Sequence, residues 1–287
     1  MEATPVWALA ASLGEGPLWA EDTRHLWFTD IEGRALQRFD PATGRGERFP
    51  VDGRPGFIVR ASDGGFVVGI ERALRRWDGE VLGKLLGEVP EVPGIRLNDA
   101  TVDARGRLWF GSMDAACVAP TGAVHLYDGG LIRTVGGRCA ITNGPAVTRD
   151  GRTMYHVDTA AGRIVAFDIA SRDMLENGRV FAVIDPVEGA PDGVTLDVED
   201  CLWVALWGGW GVRRYDPLGV PMQTVRVPCA QATKIAFGGE DLRTAYVTTA
   251  RTGLSEADLM RQPLAGGVFA FPAPAPGLPA NRLIVGR

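Results

Sequence analysis

Five polar residues recur at nearly one distance ahead of apolar runs. Glu15 stands 11 residues before Leu26, Asn143 11 before Met154, and Lys234 11 before Ala245. Asn98 and Asp192 stand 10 before Leu108 and Leu202, and the corresponding place ahead of Phe66 holds Pro55 and Gly56. Carboxylates and amide oxygens are hard ligands, suited to a divalent cation without any thiolate or imidazole. Two carboxylates brought together unpaired repel, and one takes up a proton; a cation relieves the repulsion. A small protein oxygen set leaves positions open for water and substrate, as a catalytic metal requires. Taken singly, each of these residues is equally suited to capping a turn. The chemistry exists only if the five meet.

Residues so far apart meet if the chain repeats around an axis. Six segments share one pattern: a polar turn, an apolar run, a short interruption and a second run ending near Asp or Gly. They begin at Arg24, Gly64, Gly106, Gly151, Asp200 and Arg243, at spacings of 40 to 49 residues. That is the period of propeller blades. Residues 26–29, 66–69, 108–111, 155–158 and 202–205 are rich in aromatic and β-branched side chains, the mark of strands. Helical periodicity is nearly absent outside residues 255–262, which excludes alternating βαβ units. The expected fold is all-β: a six-bladed β-propeller of four-stranded antiparallel blades, forming a single domain over residues 1–287. Closure needs the chain ends together, so residues 6–10 are expected to add a strand to the blade containing residues 268–271. In such a ring Glu15, Asn98, Asn143, Asp192 and Lys234 begin the innermost strands and line one mouth of the central channel.

Composition agrees with this reading. The 287 residues include 38 Gly and 19 Pro, with 46% hydrophobic residues, which describes a turn-rich globular protein and not a disordered one. Lys+Arg number 30 against 35 Asp+Glu, a net charge of −5. That balance argues against a nucleic-acid or anionic-membrane partner. No stretch is suited to crossing a bilayer; residues 265–280, the longest uncharged tail segment, are broken by four prolines. The N-terminal residues lack a basic region ahead of an apolar one and do not read as a signal peptide. Cys117, Cys139, Cys201 and Cys229 are scattered and are expected to be buried free thiols, which points to a cytoplasmic address.

The runs LGEGPLW, RLNDATVDARGRLWFGSMD, ITNGPAVTRDGRTMYHVDT, PDGVTLDVEDCLWVALWGG and FGGEDLRTAYVTTA occur in this order. Together they resemble the regucalcin/gluconolactonase (senescence marker protein) family over nearly the whole chain. The resemblance implies a six-bladed propeller that hydrolyses sugar-acid lactones with one divalent metal. It implies metal ligands Glu15, Asn143 and Asp192, substrate contacts from Arg96 and Asn98, and proton transfer by Asp192. The ITNGP and ALWGG variants are most similar to bacterial aldonolactonases such as xylonolactonases. Three departures stand out: the insertion over residues 112–122 is short, with no match for a polar substrate contact, Ala100 replaces the usual Gly, and Pro145 stands where many members have an aliphatic residue.

The expected function is therefore hydrolysis of an aldono-lactone, with the cation being Ca, Zn, Mn, Mg or Fe(II) and Asp192 acting as general base. Arg96 offers a fork of donors, and Asn98 both donates and accepts, which suits a polyhydroxylated ring. Trp207 and Trp210 lie on a loop at the same mouth, suited to stacking on a sugar or to packing within the blade. Loop 251–266 is a candidate lid. A serine hydrolase is disfavoured by the lack of GxSxG around Ser112, and a zinc protease by the lack of HExxH. His25, His125 and His156 fall in outer blade strands. The alternative from another class is a non-catalytic propeller that binds calcium or a protein partner.

Overall fold

The computed structural model describes residues 1–286, which form six four-stranded antiparallel sheets arranged as a β-propeller. The innermost strands are Gly14–Ala20, Pro55–Arg60, Ile95–Val102, Thr142–Val147, Ala190–Leu196 and Ala232–Gly238, here numbered blades 1 to 6. Five blades are consecutive meanders. The sixth takes its outermost strand, Thr4–Trp7, from the N-terminus, paired antiparallel to Val268–Pro272. Closure thus uses residues 4–7 in place of the expected 6–10. Trp7 accounts for the shift: it faces Val268 and stacks on Phe39 of blade 1, with ring centroids 5.4 Å apart. Its ring bridges blades 6 and 1, so packing sets the register of the closing strand.

Alternation along the strands sends side chains to both faces of each sheet, and each face packs on the next blade. The result is a separate apolar core at each of the six blade interfaces. Trp27 with Trp77 fills the one between blades 1 and 2, Phe57 with Phe110 the next, and Trp203 with Phe271 that between blades 5 and 6. Burial of these large rings is the main force holding the blades at fixed angles.

A polar device anchors two of the indoles. Six residues ahead of Trp109 and Trp203 stand Asp103 and Asp197, each fully buried. Asp103 accepts from Trp109 Nε1 at 2.9 Å and Arg107 Nε at 2.8 Å; Asp197 accepts from Trp203 Nε1 at 2.9 Å and Arg214 Nε at 2.8 Å. In blade 1 the matching residue is Glu21, which is exposed, and Trp27 Nε1 is left without a partner.

The expected helix is Glu256–Arg261, with Ser255 as N-cap and Gln262 as C-cap. No helix among the described residues is long and apolar enough to cross a membrane. All four cysteines are free, but Cys117 is exposed, contrary to the expectation of four buried thiols. It occupies the turn after the second strand of blade 3, at a φ of 61°, outside the sheet faces that pack between blades.

Residues beyond the last strand cross the far end of the channel. Gly277 N donates to Leu242 O, Asn281 Nδ2 to Val102 O at 3.0 Å, and Leu283 N to Arg60 O at 2.7 Å. The segment thus runs from blade 6 over blade 3 to blade 2, and Leu283 is buried between the last two.

Candidate functional site

Every innermost strand carries a register irregularity near its start, and the five recurring residues sit at or beside it. Glu15 faces Thr29, Asn143 faces Val157 and Lys234 faces Thr248. In blades 3 and 5 two residues oppose one: Asn98 and Asp99 span Gly111, and Asp192 and Gly193 span Ala205. These partners occupy the same place on their second strands, so all five side chains leave the backbone at one height. A β-bulge bends the strand and re-aims a side chain, here toward the axis. The GEGP and TNGP motifs are explained by it. Gly16 and Gly144, within the bulges, have φ of +56° and +67°, a region costly for other residues.

Glu15, Asn98, Asn143, Asp192 and Lys234 are all at least nine-tenths buried, as are Arg96 and Asp99. The structure brings Glu15 and Asp192 together: their carboxyls are hydrogen-bond neighbours. Burial and then the charges of Glu15 and Asp99 hold Asp192 well above the usual carboxylate range. Burial, with Asp99 next, raises Glu15 to about 7, against the pull of Lys234, the Gly16 amide and Arg96. Glu15 Oε2 accepts from Gly16 N at 2.7 Å.

The amides form a chain beside this pair. Arg96 Nη1 donates to Asn98 Oδ1 at 2.6 Å and to Leu97 O at 2.9 Å. Asn98 Nδ2 donates to Asn143 Oδ1 at 2.8 Å and to Thr142 O at 2.7 Å, and Asn143 Nδ2 donates to Thr159 Oγ1 at 3.0 Å. These bonds fix both amides with an oxygen of Asn143 still able to accept, since a carbonyl oxygen has two lone pairs.

Asp99 and its bond to Lys234 were not part of the expected site. Lys234 Nζ donates to Asp99 Oδ1 at 2.5 Å, and Ala100 N donates to the same oxygen at 2.7 Å. The sequence signal is the carboxylate in the Asn-Asp pair, which offers two polar side chains to the bulge where blade 5 offers Asp192 beside a glycine.

Beneath this layer lies an axial cavity of about 140 Å³, lined by Asp99 and Lys234 above and by residues 278–281 of the C-terminal segment below. Trp207, half-buried, lies near Gly253 of loop 251–266, and Trp210 is exposed. The loop is fastened at both ends: Arg251 N and Thr252 N donate to Ser12 O, and Ala11 N donates to Gly266 O.

The histidines lie elsewhere. Burial pulls His125 and His156 down to about 4; His125 is held between Ser112 and Thr134, and His156 faces Cys139. A second acidic group, Asp197, Glu199 and Cys201, has ligand atoms within 4.8 Å of one another. Both oxygens of Asp197 are committed to backbone amides, Trp203 and Arg214, so this group works as the anchor of an indole.

The molecule is thus a six-bladed propeller with a buried, carboxylate-bearing site on its axis. The chain belongs to the SMP-30/Gluconolactonase/LRE-like family, whose profile matches residues 13–251. Regucalcin of Bos taurus is 33% identical over 267 residues, covering 89% of each chain. Among solved structures, a calcium-binding protein, regucalcin, from Agrobacterium tumefaciens superposes with a TM-score of 0.91 at 27% identity, over 98% of this chain and 96% of that one. A luciferin-regenerating enzyme gives 0.89 at 28% identity, over 98% and 99%.

Proposed function

We propose that the protein is a metal-dependent sugar lactonase, hydrolysing an aldono-lactone of the gluconolactone or xylonolactone type in the cytoplasm. The observation that carries this reading is the buried Glu15–Asp192 carboxyl pair, level with Asn143 and flanked by the Arg96–Asn98 donors. Two carboxyls within hydrogen-bond reach in a buried site need either a proton or a cation between them. Lys234 does not meet that need, because Asp99 engages its ammonium. The donor set therefore fits a divalent cation held by Glu15, Asn143 and Asp192, all oxygen ligands of the hard type. When bound, the cation would polarise the lactone carbonyl and acidify water.

The protein's own residues do the rest. Arg96 and Asn98 orient the sugar through its ring and hydroxyl oxygens, and their mutual bond restricts both side chains before substrate arrives. Asp192 takes a proton from the attacking water as the carbonyl carbon gains hydroxide. Collapse of the tetrahedral carbon breaks the ring C–O bond, and Asp192 returns the proton to the leaving alkoxide. One water is consumed and one open-chain hydroxy acid is released. The free state of all four cysteines supports the reducing compartment.

A second reading, a calcium-binding propeller without turnover, is favoured by the likeness to the calcium-binding regucalcin of Agrobacterium tumefaciens. Incubating metal-stripped protein with a panel of aldono-lactones, with and without Ca, Zn, Mn, Mg or Fe(II), separates the two. Acid release that depends on the cation supports the lactonase; cation binding without acid release from any lactone supports the second reading.

A further inference from the structure

Asp99 is a third carboxylate in the buried group. It is 1% exposed, its Oδ1 is engaged by Lys234 and Ala100, and its Oδ2 is buried with no hydrogen-bond partner. Its charge reaches the site: it is the largest charged influence on Glu15 and, after Glu15, the next on Asp192. It also follows Asn98 directly in the same bulge. Its carboxylate is a hard oxygen ligand of the same kind as those of Glu15 and Asp192.

Lys234 is built to restrain it. Lys234 enters from blade 6, and its stem runs over Gly193, where any Cβ would fall 2.6 Å from its Cβ and Cγ. Its ammonium then crosses to blade 3 and meets Asp99 Oδ1 at 2.5 Å and Ala100 O at 3.4 Å. The absence of a side chain at Gly193, beside Asp192, is what gives the lysine its path.

We propose that Lys234 is a positioning residue that holds Asp99 out of the cation's oxygen set, so that a coordination position stays open for the lactone. The inference rests on the lactonase reading and deepens it. Its consequence has an unusual sign. Without the ammonium, Asp99 becomes free to join Glu15, Asn143 and Asp192. The cation is then held more tightly by an additional anionic oxygen, and turnover falls because the open position is lost. A lysine that merely supports the fold gives the opposite pattern, with affinity and turnover falling together.

The test uses Lys234→Met, which keeps the stem over Gly193 and removes the charge, and Lys234→Met/Asp99→Asn, which also removes the carboxylate. Metal-stripped wild type and both variants are titrated calorimetrically with calcium chloride and manganese chloride, melted thermally, and assayed for lactone kcat and KM. The expected result for Lys234→Met is tighter cation binding with kcat lowered about 10- to 100-fold, the usual reach of a residue just outside the ligands. In the double variant both quantities return toward wild type. Parallel loss of affinity and kcat, unchanged values, or no recovery in the double variant would overturn the proposal. Should Lys234→Met show no cooperative melt, Asp99→Asn decides: its unpaired ammonium is expected to weaken cation binding, and the double variant to restore it, whereas equal affinity in all forms overturns the proposal. A wild type that takes up no divalent cation overturns the lactonase reading and this inference together; a wild type that binds while the variants merely follow it overturns this inference alone.

Discussion

At the scale of single residues, the site is defined by how burial and charge act on Asp192 and Glu15. Asp192→Asn keeps the shape of the side chain and removes the proton acceptor. Turnover is expected to fall by about 10²-fold or more, the span of general-base catalysis. The melting temperature of the metal-free protein should not fall, since the change also removes one of two mutually repelling carboxyls. Initial rates with a pH indicator, together with a thermal melt, check both halves. Glu15 makes a second prediction. Its folded pKa is about 7 against an ordinary 4.5, so the folded state holds this proton more tightly than the unfolded one. The associated stability is full below pH 4.5 and is lost as pH rises through 7. Metal-free protein should therefore lose stability over that window, and an added divalent cation should restore more at pH 8 than at pH 5. Denaturant unfolding at the two pH values, with and without cation, measures this.

At the scale of the strand, the bulge is what turns a repeat into a site. The counts of 11 and 10 residues have a structural cause in the turn between the first two strands: Trp19 pairs with Leu26 and Val147 with Met154, seven residues on, whereas Val102 pairs with Leu108 and Leu196 with Leu202, six residues on. Glu15 and Asn143 precede a bulge opposite Phe28 and His156, whereas Asn98 and Asp192 lie within one opposite Gly111 and Ala205. Both arrangements end at one height, four residues before the partner of the apolar residue, so the sequence alone was enough to find the residues but not to show the turn length that makes their counts differ. Gly16 tests the device. Gly16→Ala places a Cβ at a φ of +56°, at a cost of about 1–2 kcal/mol. It should also turn Glu15 and lower turnover, with the stability loss read from the shift in denaturant midpoint. Lys234 was visible as one of the five recurring residues, yet its bond to Asp99 was not. That contact joins residues 135 positions apart across the axis and leaves no local signature.

At the scale of the whole molecule, the chain ends finish what the blades begin. The N-terminal strand closes the ring, and its existence was legible from the incomplete last repeat, though the pull of Trp7 on its register was not. The C-terminal segment shows in the sequence only as a proline-broken tail. Proline removes backbone donors and holds the chain extended, which suits a strap laid over strand ends. In the fold it covers the end of the channel opposite the site. Leu283 is its apolar anchor, fully buried between blades 2 and 3. Leu283→Ala should cost about 2–5 kcal/mol, as truncations at well-packed core positions do, and should leave KM for a lactone unchanged because the site lies at the other mouth. Lactone hydrolysis by chelator-stripped protein, measured before and after addition of a single divalent cation and with Asp192→Asn alongside, probes the cation-dependent site itself. Restored acid release in the wild type, and release lower by about 10²-fold or more in the variant, is the predicted result. Undiminished hydrolysis by the stripped protein would contradict a cation held by Glu15, Asn143 and Asp192 as the basis of the activity.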